Sequence, residues 1–596
     1  MIRKAALPPP AAWVLIGLCA VMAVLSLRQA LTKPLSLDET DITIRAHMVI
    51  EHGPSGFIEA LGQDEGMTHP PLYEYTVVLL FLLFGEHDLT VRLFGVVLFV
   101  IIGLLTWGTV RRSTGGLPPP ARSLALAACA VLYLANPLLI QHTLLVDADS
   151  MLIALLVAAA VYLFVRFEPL EGRAFMRSRL GLAVCIALLF LTKEITPAFL
   201  VVSLVVYRVL NRQWGRLGAD LVWSIGAGLA LAAAAWGTYC ALTGTRWDVF
   251  IAKQYNYRVT RVATSDVVLG ALRHAPFIAR WPMYWASTPL HVMTLVALVM
   301  RLGAWLRERR PQASDLCWVA GVIIWVPYFF VKASIDMMKY QQCAYPLFIT
   351  GACVALASTD TGERIGKAIA GWGWGRSVLL ALGVSAAAFY FAALGDPIPI
   401  LPQPSGEARI DRYVRLYHAP LAVIYAAALI CLWRFHRARL LPGLVAASML
   451  LSLPPNLGLS WLQSRAPYTT VESWLNYGEK GLADTIDYLS TRVRPDQTVM
   501  LRKDIYYYLR CRYGIQPAWV YFPDGLARYD GPGGLIALET LMSRTPLDYI
   551  VLDTVSRTYA PIPDSVAELI LRYYHLVHEG GDFRVFRTNR LRGQEV

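Results

Sequence analysis

The chain has 596 residues, of which 56% are hydrophobic and 16% are charged. Soluble domains carry roughly 25% charged residues, so this composition and the mean hydropathy of +0.47 exclude an ordinary soluble protein and favour a polytopic membrane protein. The net charge of +12 comes from basic residues dispersed between apolar runs. It therefore indicates membrane topology rather than nucleic-acid binding.

Apolar runs separated by polar turns predict about thirteen transmembrane helices. The runs are approximately 12–27, 93–110, 124–140, 151–165, 180–191, 196–210, 221–242, 285–300, 316–331, 340–357, 378–394, 421–433 and 440–461. Clusters of arginine and lysine, including those over 173–179 and 208–216, fall on one side of this alternation, which predicts an inside N-terminus and an outside C-terminus. We expect 180–191 to be a short span and the last run to be broken by Pro454-Pro455. No cleavage site follows the first run, so we expect it to be retained.

A long polar loop, residues 28–90, separates the first two spans. Loops of this length are usually functional or disordered. Its apolar stretch Tyr73 to Phe84 is too short to cross ~30 Å of hydrocarbon as a helix, so we predict an interfacial helix that begins after Pro70-Pro71. We predict a catalytic membrane domain over 1–462, including this loop and its interfacial helices.

Residues 463–596 have the composition of an extracytoplasmic α/β domain. We predict helices over 482–493 and 565–574, strands over 498–501 and 549–552, and a hairpin formed by 576–579 and 583–588. Eight of the nine cysteines lie in or beside apolar runs and are expected to be small buried hydrophobes. Only Cys511 lies in the C-terminal domain, which therefore cannot close an internal disulfide.

Several acidic residues and one histidine lie where catalysis could use them. Asp38-Glu39 in the outer loop could divide the roles of proton acceptor and positioning group, or they could belong to a solvated loop or cap a following helix. His69 precedes two prolines that restrict its backbone, yet it could equally be an exposed turn residue. Asp147 and Asp149 could bind a metal or a sugar hydroxyl, or Asp149 could cap the next span.

Basic residues also occur at outer positions, where the topology rule makes them scarce. The segment between residues 242 and 285 contains Arg246, Lys253, Arg258, Arg261, Arg273 and Arg280. Lys193 lies alone between two apolar runs, and Lys332 and Lys339 flank another outer turn. As a group these cations predict a phosphate site near the membrane surface. The alternative is attraction to anionic lipid headgroups.

The ordered set of motifs resembles the GT-C superfamily of membrane glycosyltransferases, most closely its dolichyl-phosphate-mannose protein mannosyltransferases and the bacterial aminoarabinose transferase of lipid A. The motifs are Asp38-Glu39, Thr68-His69-Pro70-Pro71-Leu72-Tyr73, Phe84-Gly85, Val91-Arg92-Leu93, Leu191-Thr192-Lys193-Glu194, Lys339-Tyr340 and Tyr345-Pro346. The resemblance implies a GT-C fold and inverting transfer of a sugar from a polyprenyl-phosphate donor to an extracytoplasmic lipid, glycan or protein acceptor.

The resemblance also implies a division of roles. Asp38 would be the general base or would position the acceptor, and Glu39 would orient the site. The donor phosphate would be neutralised by Lys193, Arg258 and Lys339, and Tyr345 would donate a hydrogen bond to it. The remaining candidates for substrate contact are His69, Asp147, Asp149 and Arg261. We expect no metal and no cofactor, and a monomer in a bacterial inner membrane with its active site and C-terminal domain in the periplasm.

Two departures leave the acceptor open. The aminoarabinose branch has a basic residue shortly after the acidic pair, where this chain has Asp41. It has a lysine just before the proline pair, where this chain has His69, as in the protein mannosyltransferases. The alternative function is a polytopic lipid or glycolipid transporter or flippase. Transporters usually show internal repeats and ionisable residues at the membrane midplane, and here we find no repeat.

Overall fold

The computed structural model describes residues 8–32, 34–35, 38–54, 70–147, 151–246, 252, 312–332, 342–394, 441–465, 481–515, 518–521, 528–531, 534–537, 547–553, 564–581 and 583–589. The chain divides into two compact units. The helical unit comprises 1–31, 61–76 and 89–466. The sheet unit comprises 32–60, 77–88 and 467–596, so it combines two pieces of the first loop with the C-terminal region.

The N-terminal two thirds of the described chain is helical. The helices are α1 (Pro10–Leu31), α2 (Asp38–His52), α3 (Leu72–Phe84), α4 (Asp88–Ser113), α5 (Pro119–Leu134), α6 (Pro137–Thr143), α7 (Met151–Phe167), α8 (Arg173–Thr192), α9 (Thr196–Leu210), α10 (Trp214–Asp220), α11 (Ala227–Thr243), α12 (Asp315–Lys332), α13 (Tyr345–Ala357), α14 (Asp360–Ala370), α15 (Trp374–Leu394) and α16 (Leu441–Arg465). A π-helical turn, Leu221–Gly226, joins α10 to α11.

The apolar runs of the sequence correspond closely to these helices, with two corrections. The expectation of a short span at 180–191 is wrong, because α8 has 20 residues and includes the basic residues before that run. The expected break at Pro454-Pro455 is also wrong, because α16 continues through both prolines. Helices α1 and α15 pack along α16, and such packing can outweigh two missing backbone donors. The predicted runs 285–300 and 421–433 lie outside the described residues.

Among the described residues, three helical segments are long and apolar enough to cross a membrane, namely 88–113, 173–192 and 214–243. A fourth candidate is the pair 342–357 and 360–370, whose two helices are bent by 89°. The full number of about thirteen spans and their orientation remain predictions.

Four charged side chains form a buried cluster at one end of the helical unit, which we call the Glu168 end. Arg208 donates to both oxygens of Glu168, at 2.5 and 2.7 Å, and through Nε to Asp220 Oδ2 at 2.7 Å. Arg179 bridges the same two carboxylates at 2.8 and 2.6 Å. The partly exposed Arg216 adds a third cation against Glu168 at 2.5 Å. The cluster therefore joins the end of α7 to α8, α9 and α10.

This cluster shows where two arginines of the basic clusters lie. Arg179 and Arg208 belong to clusters that the sequence assigns to the inner side of the membrane, and both side chains are fully buried. Aromatic faces cover them. The Cζ atom of Arg179 lies 4.0 Å from the ring centroid of Phe175, and that of Arg208 lies 4.9 Å from the ring centroid of Phe164. Their charges are therefore balanced inside the protein and are not available to lipid headgroups.

The opposite end of the same helices is called the Lys193 end, because α8 ends and α9 begins around Lys193. Near the start of α4, the fully buried Arg92 donates to the carbonyl of Leu144 at 2.7 Å. A Cβ on Gly95 would lie 1.8 Å from the carbonyl oxygen of Thr143. The start of α4 thus lies against the segment that leads to α7, and only glycine permits that approach.

The sheet unit contains a seven-stranded sheet with the order β4-β3-β2-β1-β5-β7-β6. Its elements are α17 (Leu482–Ser490), β1 (Thr498–Met500), α18 (Lys503–Tyr507), β2 (Ala518–Tyr521), β3 (Arg528–Gly531), β4 (Gly534–Ala537), β5 (Tyr549–Asp553), α19 (Asp564–Tyr573), β6 (Tyr574–Gly580) and β7 (Phe583–Thr588). Strand β1 is parallel to β2 and β5, and the remaining pairs are antiparallel. The predicted C-terminal hairpin is confirmed as β6–β7, whereas β2, β3 and β4 escaped prediction.

Residues of the first loop are built into the sheet unit. A π-helical turn, Tyr508–Arg512, follows α18, and α2 packs against α18. The buried Tyr508 hydroxyl accepts from the backbone N–H of Leu35 at 2.6 Å and donates to Asp88 Oδ2 at 2.5 Å. Burial and the Asp88 carboxylate raise the pKa of Tyr508 well above its usual value, so this hydroxyl remains a donor.

The buried cluster predicts a large stability difference between two glutamates. Glu168→Gln leaves two buried guanidinium groups without a full counter-charge, and we expect a loss of roughly 3–5 kcal/mol in the free energy of unfolding. The matched control is Glu363→Gln, which breaks a surface pair with Lys367 (2.7 Å) and should cost about 0–1 kcal/mol. Denaturant unfolding of the purified protein in detergent checks both; equal losses would contradict a structural role for the cluster.

The approach at Gly95 predicts a contrast between two helical glycines. Gly95→Ala places a methyl group against a backbone carbonyl, so we expect a loss of about 1–3 kcal/mol in the free energy of unfolding. A Cβ on Gly17 of α1 meets nothing within 4 Å, so Gly17→Ala should be neutral or stabilising by up to ~1 kcal/mol. Denaturant unfolding in detergent measures both free energies. If Gly95→Ala were as stable as Gly17→Ala, the backbone near Thr143 would have to move without cost, which would contradict a close packing contact at Gly95.

Candidate active site

The structure describes five of the ten candidate site residues that the sequence analysis proposes. Asp38 is the first residue of α2, and Glu39 follows it in the sheet unit. Asp147, Lys193 and Tyr345 belong to the helical unit. The other five lie outside the described residues, namely His69, Asp149, Arg258, Arg261 and Lys339.

The acidic pair begins a helix, and its second member is buried. Glu39 is only 1% exposed, so the idea of a solvated loop is wrong for this side chain. A buried carboxylate is costly unless it is paired, and Glu39 is not without a partner. Asp38 occupies the positive end of α2, where a carboxylate is favoured. The acidic pair therefore forms the start of α2.

Lys193 ends α8 in an extended conformation, with φ −158° and ψ 113°. Its N–H donates to the carbonyl of Leu189 at 2.8 Å, and its own carbonyl accepts from the N–H of Thr196 at 3.1 Å. This tight turn between two helices holds the lysine at a fixed place. The side chain is 6% exposed, so it lies inside the protein, and attraction to lipid headgroups does not account for its position.

Asp147 lies in the segment between α6 and α7 and is 6% exposed. The segment is held at several points. The buried Asn136 caps α6 by accepting from the N–H groups of Leu138 and Leu139 at 3.0 and 3.1 Å, and Arg92 holds the carbonyl of Leu144. The sequence singled out the motif around Arg92 without assigning a function to this arginine, and its contact shows that it positions the Asp147 segment.

Tyr345 begins α13 and is fully buried. Its ring contacts that of Phe348, with centroids 6.4 Å apart. Gly321 of α12 lies against Phe348, and Trp318 lies against Gly351, so α12 and α13 are antiparallel and Tyr345 is level with the middle of α12. Because Tyr207, near the end of α9, donates to the carbonyl of Gln312 at 3.3 Å, α12 begins at the Glu168 end.

These helix directions place two nominated residues, Asp147 and Lys193, at the Lys193 end of the helical unit. Helix α7 begins after Asp147, α8 ends before Lys193, and α13 begins at Tyr345, level with the middle of α12. A buried carboxylate, ammonium and phenol provide an acceptor of hydrogen bonds, a cation and a neutral donor. Buried ionisable groups inside a membrane protein are functional candidates by default. The arrangement suits a substrate that carries both hydroxyl groups and a phosphate.

A second polar cluster in the sheet unit escaped sequence reasoning. It comprises His47 of α2, Glu86 in the turn between α3 and α4, and Cys511 in the π-helical turn. Burial lowers the pKa of His47, but hydrogen bonds and charges from Cys511 and Glu86 raise it by more, to about 10. Residues 47, 86 and 511 are far apart in sequence, and the only available signal was a single cysteine between two arginines.

Two comparisons report on family and fold. Residues 68–238 match the family model described as dolichyl-phosphate-mannose-protein mannosyltransferase. The crystal structure of ArnT from Cupriavidus metallidurans bound to undecaprenyl phosphate is similar with a TM-score of 0.62 and 16% identity, over 98% of this chain and 100% of that chain. The apo structure of the same protein gives a TM-score of 0.58 at 16% identity, over 96% and 97%.

No curated protein matches the chain by sequence. The likeness to ArnT extends over nearly the whole of both chains and shows the fold, and the family match covers the stretch from the proline motif to α11. The resemblance seen in the motifs is therefore confirmed: the chain has the fold of the GT-C membrane glycosyltransferases and resembles their protein mannosyltransferase and ArnT branches.

Proposed function

We propose that this protein is an inverting glycosyltransferase that moves a sugar from a polyprenyl-phosphate donor to an extracytoplasmic lipid, glycan or protein acceptor. The observation that carries the proposal is the family match over 68–238 on a chain with the GT-C fold throughout. The matched segment contains Asp147 and Lys193, two buried charges at one end of the helical unit. The similar ArnT from Cupriavidus metallidurans binds undecaprenyl phosphate in its crystal structure, which supports a polyprenyl-linked donor here.

The cations neutralise the leaving group in this proposal. When the bond between the sugar and the phosphate breaks, negative charge develops on the phosphate, and a fixed cation in a dry site stabilises it most strongly. Lys193 has the burial and the rigid backbone that this role needs. Arg258 and Lys339 share the role, and Tyr345 donates a hydrogen bond to the same phosphate.

The acidic groups act on the acceptor. Asp38 removes a proton from the attacking hydroxyl or holds it in line with the anomeric carbon, and Glu39 orients this segment from its buried position. Asp147, Asp149, His69 and Arg261 contact sugar or acceptor. The donor phosphate needs no metal in this scheme, because protein cations balance its charge. The protein acts as a monomer in a bacterial inner membrane, with its site on the periplasmic side.

The first test of this proposal is Asp38→Asn, which keeps the shape of the side chain and removes its basicity. We expect kcat to fall by ~10²–10⁴-fold, measured as sugar release from a panel of radiolabelled polyprenyl-phosphate sugars by purified protein in lipid. Asp41→Asn, three residues along α2 on a half-buried carboxylate, is the matched control and should retain activity. Equal turnover by wild type and a folded Asp38→Asn protein would remove Asp38 from the mechanism.

The second test separates phosphate recognition from tail binding. Undecaprenyl phosphate and undecaprenol share the same tail, so the difference in their affinities reports the phosphate contacts. Lys193→Met retains the length of the side chain without its charge, and we expect it to lose most of this difference and to lower kcat by ~10²–10³-fold. Lys367→Met on the exposed surface of α14 is the matched control and should leave the affinity difference and kcat unchanged.

These assays also discriminate the transporter alternative. A transferase releases polyprenyl phosphate and consumes the labelled donor, whereas a flippase moves the intact donor across a vesicle bilayer. Translocation of intact donor with no turnover of any member of the panel would favour the flippase. If Lys193→Met still bound undecaprenyl phosphate more tightly than undecaprenol by the wild-type margin, Lys193 would not be part of the phosphate site.

A further inference from the structure

Three side chains of the types that bind transition metals converge in the sheet unit. His47 is on α2, Glu86 is in the turn before α4, and Cys511 is in the π-helical turn after α18. One ligand atom from each lies within 4.8 Å of the other two, and all three residues are partly buried. Single π-helical turns occur frequently at functional sites. Because the three residues come from distant parts of the sequence, the fold and not local sequence brings them together.

The outer contacts of the histidine suit a metal ligand. Nδ1 of His47 lies 2.9 Å from Glu86 Oε2, and Nε2 lies 3.0 Å from Glu51 Oε1. A histidine that binds zinc through one nitrogen almost always donates its other N–H to a carboxylate, carbonyl or water. Glu51 already occupies that outer position at Nε2. Nδ1, which faces Glu86, is therefore the nitrogen that can bind the metal.

One carboxylate oxygen in the cluster lacks compensation. Glu86 Oε1 is buried and has no hydrogen-bond partner within the part of the chain that the structure describes. Buried polar atoms are nearly always satisfied, and an exception points to a missing partner such as an ion. A cation among the three ligand atoms would satisfy this oxygen.

The two flanking arginines do not occupy the cluster. Arg510 donates to the hydroxyl of Tyr506 at 2.8 Å and pairs with Glu51 at 3.7 Å. Arg512 donates to the carbonyl of Glu86 and pairs with Asp88 at 3.8 Å. Each guanidinium therefore has acceptors of its own, and the side chains of His47, Glu86 and Cys511 face one another.

We propose that His47, Glu86 and Cys511 bind one Zn²⁺ ion, with water as the fourth ligand, and that the ion fixes α2 to the π-helical turn. Imidazole nitrogen, thiolate sulfur and carboxylate oxygen are the ligands of protein zinc, and thiolate disfavours Mg²⁺ and Ca²⁺. The ion would hold the helix that begins at Asp38, and its binding is separate from the metal-free neutralisation of the donor phosphate.

Zinc content of the full-length protein tests the proposal directly. Protein purified in detergent is treated with EDTA, loaded with ZnCl₂, passed through a desalting column and measured by inductively coupled plasma mass spectrometry. We expect about one zinc per chain for wild type, with loss of that zinc in Cys511→Ser and in His47→Ala. Cys240→Ser in α11 and His52→Ala at the end of α2 are the matched controls and should retain it.

A spectroscopic measurement tests whether the Cys511 thiolate binds the metal, and Glu51→Gln tests the role of the hydrogen bond to His47 Nε2. Co²⁺ in place of zinc should give a thiolate-to-cobalt charge-transfer band that disappears in Cys511→Ser. Glu51→Gln should weaken zinc binding by roughly 10–100-fold, because it removes the negative charge of the partner of His47 Nε2. Zinc retained at the wild-type level in Cys511→Ser, or a cobalt complex without the thiolate band, would overturn the assignment.

Wild-type protein gives an answer even if a variant fails to fold. The sheet unit has no other cysteine, so alkylation of Cys511 by iodoacetamide can be followed by peptide mass spectrometry. Zinc should slow this alkylation relative to EDTA-treated protein, and Mg²⁺ should not. An alkylation rate that zinc does not change would overturn the proposal, whatever the outcome of the transferase assays.

Discussion

The buried ion cluster of Glu168, Arg179, Arg208 and Asp220 is the constraint on which the helical unit depends. Each arginine bridges both carboxylates, so removing any one group leaves a buried charge uncompensated. The four side chains come from α8, α9, the last residue of α10 and the residue after α7. Hydrophobic packing among apolar helices in lipid is weakly directional. The cluster supplies the direction, because its hydrogen bonds are satisfied in only one relative arrangement of these helices.

Fixing one end of these helices fixes the other. Helices α7, α8 and α9 are rigid rods between the Glu168 end and the Lys193 end, so their registration at the cluster determines where Asp147 and Lys193 stand. Arg92 and Gly95 extend this constraint to α4, through a hydrogen bond to the carbonyl of Leu144 and a close approach to that of Thr143. Charges that balance one another at one end thereby set the positions of two buried charges at the other. This is a pre-organised arrangement of the kind that electrostatic catalysis requires.

The sequence predicts the helices well and the contacts poorly. Apolar runs locate α7, α9 and α12 within a few residues, because burial in lipid demands continuous hydrophobicity. Lys193 stands out for the same reason, as a charge between two such runs. The positive-inside rule counts charges without knowing their partners, so it does not reveal that Arg179 and Arg208 are buried. The contact of Tyr508 with Leu35 and Asp88 joins residues more than four hundred positions apart, and no local pattern reveals it.

The two ends of the helical unit use different cations, and the difference follows from their chemistry. Arg208 presents a planar fork that donates three hydrogen bonds to the carboxylates of Glu168 and Asp220, so its charge is committed to structure. Lys193 presents a compact ammonium, which acts as a point charge and needs no planar set of acceptors. A lysine in the ion cluster would leave carboxylate oxygens unsatisfied, and an arginine at position 193 would need a planar set of acceptors in a confined space. The proposed role of Lys193 requires a buried ammonium on a rigid turn, because a leaving phosphate is stabilised best by a cation that is already in place.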